Sequence, residues 1–229
     1  MDDLDDAPVT LARADSVAGE VVLRRRPAPS RRGRDPDVFE LIVNGAFAMD
    51  TVDVSTERHL AELVLTDGAA NVLVGGLGLG FTALALAQGG AGRVEVVELC
   101  APLVEWARAR LTPSLAAVAA DRRITLRTGD MADVLTKSCD TWDAIVLDVD
   151  NGPDFLIRPE NADLYRPGKL ARSVDRLRPG GLLLIWCQGA SAELAAALAG
   201  LGEVVRRDLP VSRDGRDITY VVHGVRRQG

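Results

Sequence analysis

Apolar and polar positions follow two different rhythms along the chain. Up to about residue 50 the apolar runs are short and separated by turn signals. Gly19–Arg26 reads as a strand ending in charge, and Pro27 to Pro36 as a loop rich in Pro and Arg. Val38–Val43 is a second strand, Asn44-Gly45 a hairpin turn, and Ala46–Asp50 a third strand. From Ser55 onward the runs lengthen and their period switches between two and 3.6. Ser55 or Thr56 is placed to cap a helix through Leu60, Leu63 and Leu65 that stops at Asp67-Gly68. Strands follow at Val72–Val74, Arg93–Leu99, Ile124–Arg127, Trp142–Val149 and Leu182–Cys187. Between them lie helices at Thr82–Ala87, Pro102–Leu111, Met131–Leu135, a stretch through Leu170, Val174 and Leu177 ending at Arg178-Pro-Gly-Gly181, and Ala190–Leu201. Val204–Arg207 and Ile218–Val222, joined through Asp214-Gly215, close the chain as an antiparallel pair. Strands alternating with helices and ending in a hairpin predict a mostly parallel sheet with one reversed edge strand.

The stretch that organises this pattern is Asn71-Val-Leu-Val-Gly-Gly-Leu-Gly-Leu-Gly-Phe81. An apolar strand breaks into glycines at Gly75, Gly76, Gly78 and Gly80, and a helix starts at once. Glycine lets the backbone approach a ligand, and the helix N-terminus offers free N–H groups beside it. The dinucleotide fingerprint needs a third glycine where this chain has Phe81. That spacing turns the reading from NAD towards S-adenosylmethionine and its relatives. The predicted fold class is therefore α/β: a Rossmann-like, class I methyltransferase-type sheet of seven strands behind a small N-terminal antiparallel β unit. The expected organisation is an acidic, disordered tail over residues 1–15, a β unit over 16–52, and the nucleoside-binding domain over 53–229.

Composition narrows the function. A formal net charge of −6 argues against a general nucleic-acid binder, which needs excess positive charge for phosphates. The basic cluster from Arg24 to Arg34 reads either as a grip for a polyanion or as a solvated strand edge. Three cysteines without C-x-x-C spacing suit a cytoplasmic protein with reduced thiols, and the acidic N-terminus is no signal peptide. The uncharged run Val72–Ala87 is too short and too rich in glycine for a membrane span. His59 and His223 lie far apart, so no metal site is expected.

Three acidic positions carry the candidate chemistry. Glu98 ends the strand after the glycine loop, eighteen residues beyond Gly80 and next to Leu99, where a carboxylate accepts hydrogen bonds from ribose hydroxyls. Asp130, after Gly129 at the next strand end, is suited to the adenine amino group, to capping the following helix, or to both. The third is Asp148-Val-Asp-Asn-Gly-Pro-Asp154. Asp148 and Asp150 would share a face if the strand continued through them, and the Asn-Gly-Pro turn would swing Asp154 back over the crevice. Clustered carboxylates beside an adenosine site suit an amine substrate, which they orient and whose proton one of them accepts. Tyr165 follows closely enough either to line the pocket or to pack on the sheet.

Taken together, these residues resemble the spermidine synthase (polyamine aminopropyltransferase) family, especially short bacterial members. The resemblance runs from about Glu40 to Leu201 and rests on Leu41–Gly45, Gly75–Gly80, Val97-Glu98-Leu99, Gly129-Asp130 and Asp148–Pro153. It implies Asp148 as the carboxylate that helps deprotonate the attacking amine; Asp150 and Tyr165 are the other candidate catalytic residues, from the reading of the residues themselves. Glu98 would hold ribose, Asp130 adenine, and Gly76 and Gly78 the sulfonium arm. It further implies decarboxylated S-adenosylmethionine as donor, a putrescine-like amine as acceptor, and a homodimer or higher homo-oligomer. Three features depart from the family: its glycine loop usually carries an Asp where Gly78 stands, its Tyr-His-Glu helix start is here Ser55-Thr56-Glu57, and the N-terminal β unit is short. These leave adenosine binding intact and leave open the donor's tail and the acceptor. A small-molecule methyltransferase using S-adenosylmethionine and a non-catalytic nucleoside-binding homologue are the other two readings.

Overall fold

Alternation with a period of two sorts the central strands onto two packed faces. A computed structural model of the chain describes residues 7–28, 37–213 and 215–229. In β5 (Asn71–Gly75), Val72 and Val74 join one core while Leu73 joins the other. In β8 (Trp142–Leu147), Ala144 and Val146 lie on the first face, Ile145 and Leu147 on the second. β9 (Leu177–Cys187) divides Leu182 and Leu184 from Leu183 and Ile185 in the same way. Strands buried on both faces need helices on both faces. The first face is covered by α1 (Ser55–Thr66), α2 (Phe81–Gln88), α3 (Ala101–Arg108) and α4 (Pro113–Ala120). The second is covered by α5 (Met131–Lys137), a 3-10 turn (Pro159–Tyr165), α6 (Pro167–Asp175) and α7 (Ala192–Ala199).

With β6 (Arg93–Glu98), β7 (Ile124–Thr128), β10 (Glu203–Arg213) and β11 (Arg216–Arg226), the seven-stranded order is β10-β11-β9-β8-β5-β6-β7. This is the class I methyltransferase arrangement expected from the sequence. The reversed strand is β11, and it sits one place in from the edge, between β9 and β10. A second sheet, β1-β2-β3-β4, is antiparallel throughout: Val9–Ser16, Gly19–Arg26, Val38–Val43 and Ala46–Asp50.

Several local expectations need correction. The tail expected over residues 1–15 holds strand β1 from Val9 onward, paired antiparallel with β2 apart from a register shift between Thr10 and Ala12. A tight turn joins them, in which Ser16 Oγ accepts from Ala18 N at 3.0 Å, and α3 packs on the new strand. Residues 1–6 lie outside the described residues. The N-terminus of α1 is held by Asp53, whose carboxylate accepts from Ser55 N at 2.8 Å, and by no hydroxyl cap from Ser55 or Thr56. Helix α4 was not expected at all. Its run of Ala with Leu115 and Val118 has no polar face to mark a period, although Thr112 caps it and Pro113 opens it. Helix α6 stops at Asp175, and Leu177 begins a strand that runs through Gly180-Gly181 with a register shift opposite Trp142. The arginine cluster is partly structural. Arg24 and Arg26 hold buried Glu40 at 2.8 and 2.6 Å, and Arg25 meets Asp37 at 3.5 Å, while residues 29–36 lie outside the described residues.

Candidate active site

The site forms where β5, β6 and β8 end together. β5 stops at Gly75, and Gly76, Gly78 and Gly80 all take positive φ (93°, 51° and 88°) before α2 begins. At Gly76 the reason is steric as well as conformational, because a Cβ there would lie 2.2 Å from the Asp148 carbonyl oxygen. The loop thus lies directly on the end of β8. At Gly78 the space of a side chain is taken by Met49 from the N-terminal sheet, whose Sδ lies 2.6 Å from the Cβ position and accepts from Leu79 N at 3.2 Å.

Glu98 is buried under this loop. Its two oxygens accept from Leu77 N and Cys100 N, each at 2.7 Å. Burial pushes its pKa up against the pull of these backbone donors. Asp130 caps α5 through Ala132 N at 2.8 Å and also lines the cavity, so its two expected roles are compatible.

The acidic end is assembled from three separate elements. Asp148 follows the last residue of β8 and accepts a 2.7 Å hydrogen bond from Thr82 Oγ1 at the start of α2. Burial raises its pKa. Glu57, in the first turn of α1, accepts from Thr56 Oγ1 at 2.7 Å. Its pKa is raised to about 7, first by burial and then by the charge of Asp148, with Asp53 adding to it. Neither Glu57 nor Asp148 has an ion-pair partner among the described residues.

Asp150 does something else. β8 ends at Leu147, so the strand does not carry Asp150 onto the face of Asp148. Asp150 takes a left-handed φ of 62°, and its carboxylate accepts from Ile157 N at 2.6 Å, Arg158 N at 2.9 Å and Asn161 Nδ2 at 3.0 Å. It folds the 151–161 segment into a wall of the cavity, which is a structural task. Tyr165 is also redirected. Its hydroxyl donates to the Val149 carbonyl at 2.7 Å, its ring is buried in the second core, and burial raises its pKa. It does not line the cavity. Asp154 is exposed and likewise away from the lining.

These groups surround a cavity of about 250 Å³. Of the residues expected from the sequence, Gly76, Gly78, Glu98, Leu99, Gly129, Asp130, Asp148 and Asp150 line it, while Gly75 and Gly80 shape the loop without lining it. Glu57, Thr82, Met49, Trp186 and Tyr220 also line it and had not been singled out as site residues. No cluster of His, Cys, Asp and Glu able to hold a metal occurs among the described residues. None of their helices is long and apolar enough to cross a membrane.

No family model and no curated protein matches the chain. Solved structures do. A spermidine synthase solved with the transition-state analogue AdoDATO matches at TM-score 0.74 and 14% identity, over 95% of this chain and 73% of its own. The spermidine synthase from Thermotoga maritima matches at 0.70 and 13%, over 94% and 72%. The O-methyltransferase from Bacillus cereus, solved with SAH, matches at 0.53 and 19%, over 76% and 82%. A match over 95% of the chain has to include the N-terminal sheet, whereas 76% is about the share of residues 53–229 alone. At these identities the likeness is one of fold.

Proposed function

We propose that the chain is a transferase that alkylates an amine from an S-adenosyl sulfonium donor, in the manner of an aminopropyltransferase. One observation carries this reading: Glu57 and Asp148 meet at one cavity with no ion-pair partner of their own. Two carboxyls left so close repel, and a cation between them relieves the repulsion. An ammonium group is such a cation; a neutral hydroxyl acceptor is not.

The residues present fit an adenosine donor. Gly76 and Gly78 of the loop, Glu98 at the end of β6 and Asp130 at the adjoining strand end all line the same cavity. A sulfonium donor supplies an electrophilic carbon whose leaving group is a neutral thioether. Asp148 and Glu57 draw in the protonated amine and orient it. Asp148 then accepts a proton, which frees the nitrogen lone pair to form the C–N bond as the C–S electrons return to sulfur. Thr82 holds the Asp148 oxygen in place for this transfer.

A second reading, methyl transfer from intact S-adenosylmethionine, is favoured by one feature. Gly78 and Met49 occupy the place where the family resembled here carries its tail-reading Asp. A thermal-shift series followed by product analysis separates the two, since a ligand of the folded state raises the midpoint. Stabilisation by decarboxylated S-adenosylmethionine, with release of methylthioadenosine in the presence of amines, supports aminopropyl transfer. Release of S-adenosylhomocysteine moves the assignment to methyl transfer. No shift with any adenosyl sulfonium compound overturns both.

A further inference from the structure

The cavity straddles the sheet, and its two sides differ in chemistry. Towards the second core it is bounded by Val97, Met131, Val149 and Leu164, near Asp130 and Gly129, and this is the side that suits a nucleoside. Towards the first core the wall is Val21, Leu41, Val43, Met49, Trp186 and Tyr220. These come from three strands of the N-terminal sheet and from β9 and β11. None carries a charge. Trp186 and Tyr220 lie against each other with ring centroids 5.1 Å apart, and the buried indole N–H of Trp186 has no acceptor among the described residues.

The carboxylates are not spread along this wall. Asp150 is engaged by backbone and Asn161, Glu98 by the glycine loop, Asp130 by the α5 cap, and Asp50 by Val52 N and Arg26. What remains is the single knot of Glu57 and Asp148, with Asp53 beside it. A diamine needs an anionic partner at each end, because an ammonium buried without one is strongly disfavoured. Here one end finds carboxylates, and the other finds Val, Leu, Met and two aromatic rings.

Resting on the amine-transfer reading, we infer that the acceptor is a monoamine with an apolar or aromatic body, its amine at Glu57 and Asp148 and its body against Leu41, Val43, Trp186 and Tyr220. The diamine expected from the sequence is the wrong substrate class for this wall. The aromatic pair gives flat surface for a ring.

The test is calorimetric binding to the full chain saturated with methylthioadenosine, comparing 2-phenylethylamine with putrescine, followed by turnover with the same two amines. Phenylethylamine is expected to bind about tenfold tighter or more. Val43→Asp, at the half-buried end of β3, is expected to reverse the order by giving the distal ammonium a partner. Tyr220→Ala is expected to weaken phenylethylamine while leaving the nucleoside-induced thermal shift unchanged. Putrescine binding as tightly as phenylethylamine in the native chain overturns this inference and leaves amine transfer standing. Binding of the nucleoside with neither amine bound or alkylated overturns the amine reading itself, and this inference with it.

Discussion

Burial, and after it the neighbouring Asp148 carboxyl, raise the pKa of Glu57 to about 7. The folded-state pKa of Glu57 lies above its ordinary 4.5, so the unfolded chain binds fewer protons than the native one between those values. Stability conferred by the protonated group is therefore complete below about pH 4.5 and is lost as pH rises towards 7. Melting temperature measured from pH 5 to 8 should decline over this window, and Glu57→Gln should flatten the decline. An unchanged slope in that variant would show that Glu57 is not the titrating group. On the proposed reading Asp148→Asn removes the proton acceptor, and kcat should fall at least about a hundredfold with nucleoside binding retained. At this scale the sequence was only half legible. Asp148 stands out beside Gly152-Pro153, but Glu57 and Thr82 are ordinary helix residues until the fold brings α1 and α2 to the end of β8. The hydrogen bonds that engage Asp150 and Tyr165 could not be read ahead, because sequence spacing shows proximity along the chain and not which bonds already occupy a side chain.

Elements meet most tightly where the glycine loop touches β8. Gly76→Ala forces a Cβ into the Asp148 carbonyl in a backbone region L-residues avoid, a strain of about 1–3 kcal/mol before any clash is counted. Both the melting temperature and the nucleoside-induced shift should drop. Asp150→Ala removes the acceptor for Ile157 N, Arg158 N and Asn161, each lost bond in a half-buried setting costing about 1 kcal/mol. The expected signature is faster proteolysis within residues 151–161 and weaker nucleoside binding; a pure loss of kcat would instead make Asp150 catalytic. Strands and turns at this level could be read ahead because period-two burial and Gly or Asn-Gly punctuation are local signals. Helix α4 could not, since an Ala-rich helix with few polar positions has no contrast between faces. The boundary between α6 and β9 was misplaced because Gly180-Gly181 reads as a stop yet lies within a strand.

At the scale of the whole molecule, the small sheet is bound to the larger domain and closes its cavity. Glu40 links β2 and β3 through Arg26 and Arg24. Burial alone would raise its pKa, but the two guanidiniums outweigh that and lower it. A lowered carboxyl pKa stabilises above the ordinary value and is lost as pH falls through the folded-state value. Glu40→Gln should therefore destabilise the chain at neutral pH and cost less below about pH 4. Chemical denaturation at the two pH values checks it.

The order of elements along the chain separates two tasks. Residues between β5 and β8 supply the glycine cradle, Glu98, Asp130 and Asp148, whereas the apolar wall draws on β2, β3 and β4 early and on β9 and β11 late. Tyr220 is the last of these wall residues along the chain, so the wall is complete only when β11 is in place. On the proposed reading, substitutions in the flanking strands change the acceptor while leaving the middle of the chain, and with it the donor, untouched.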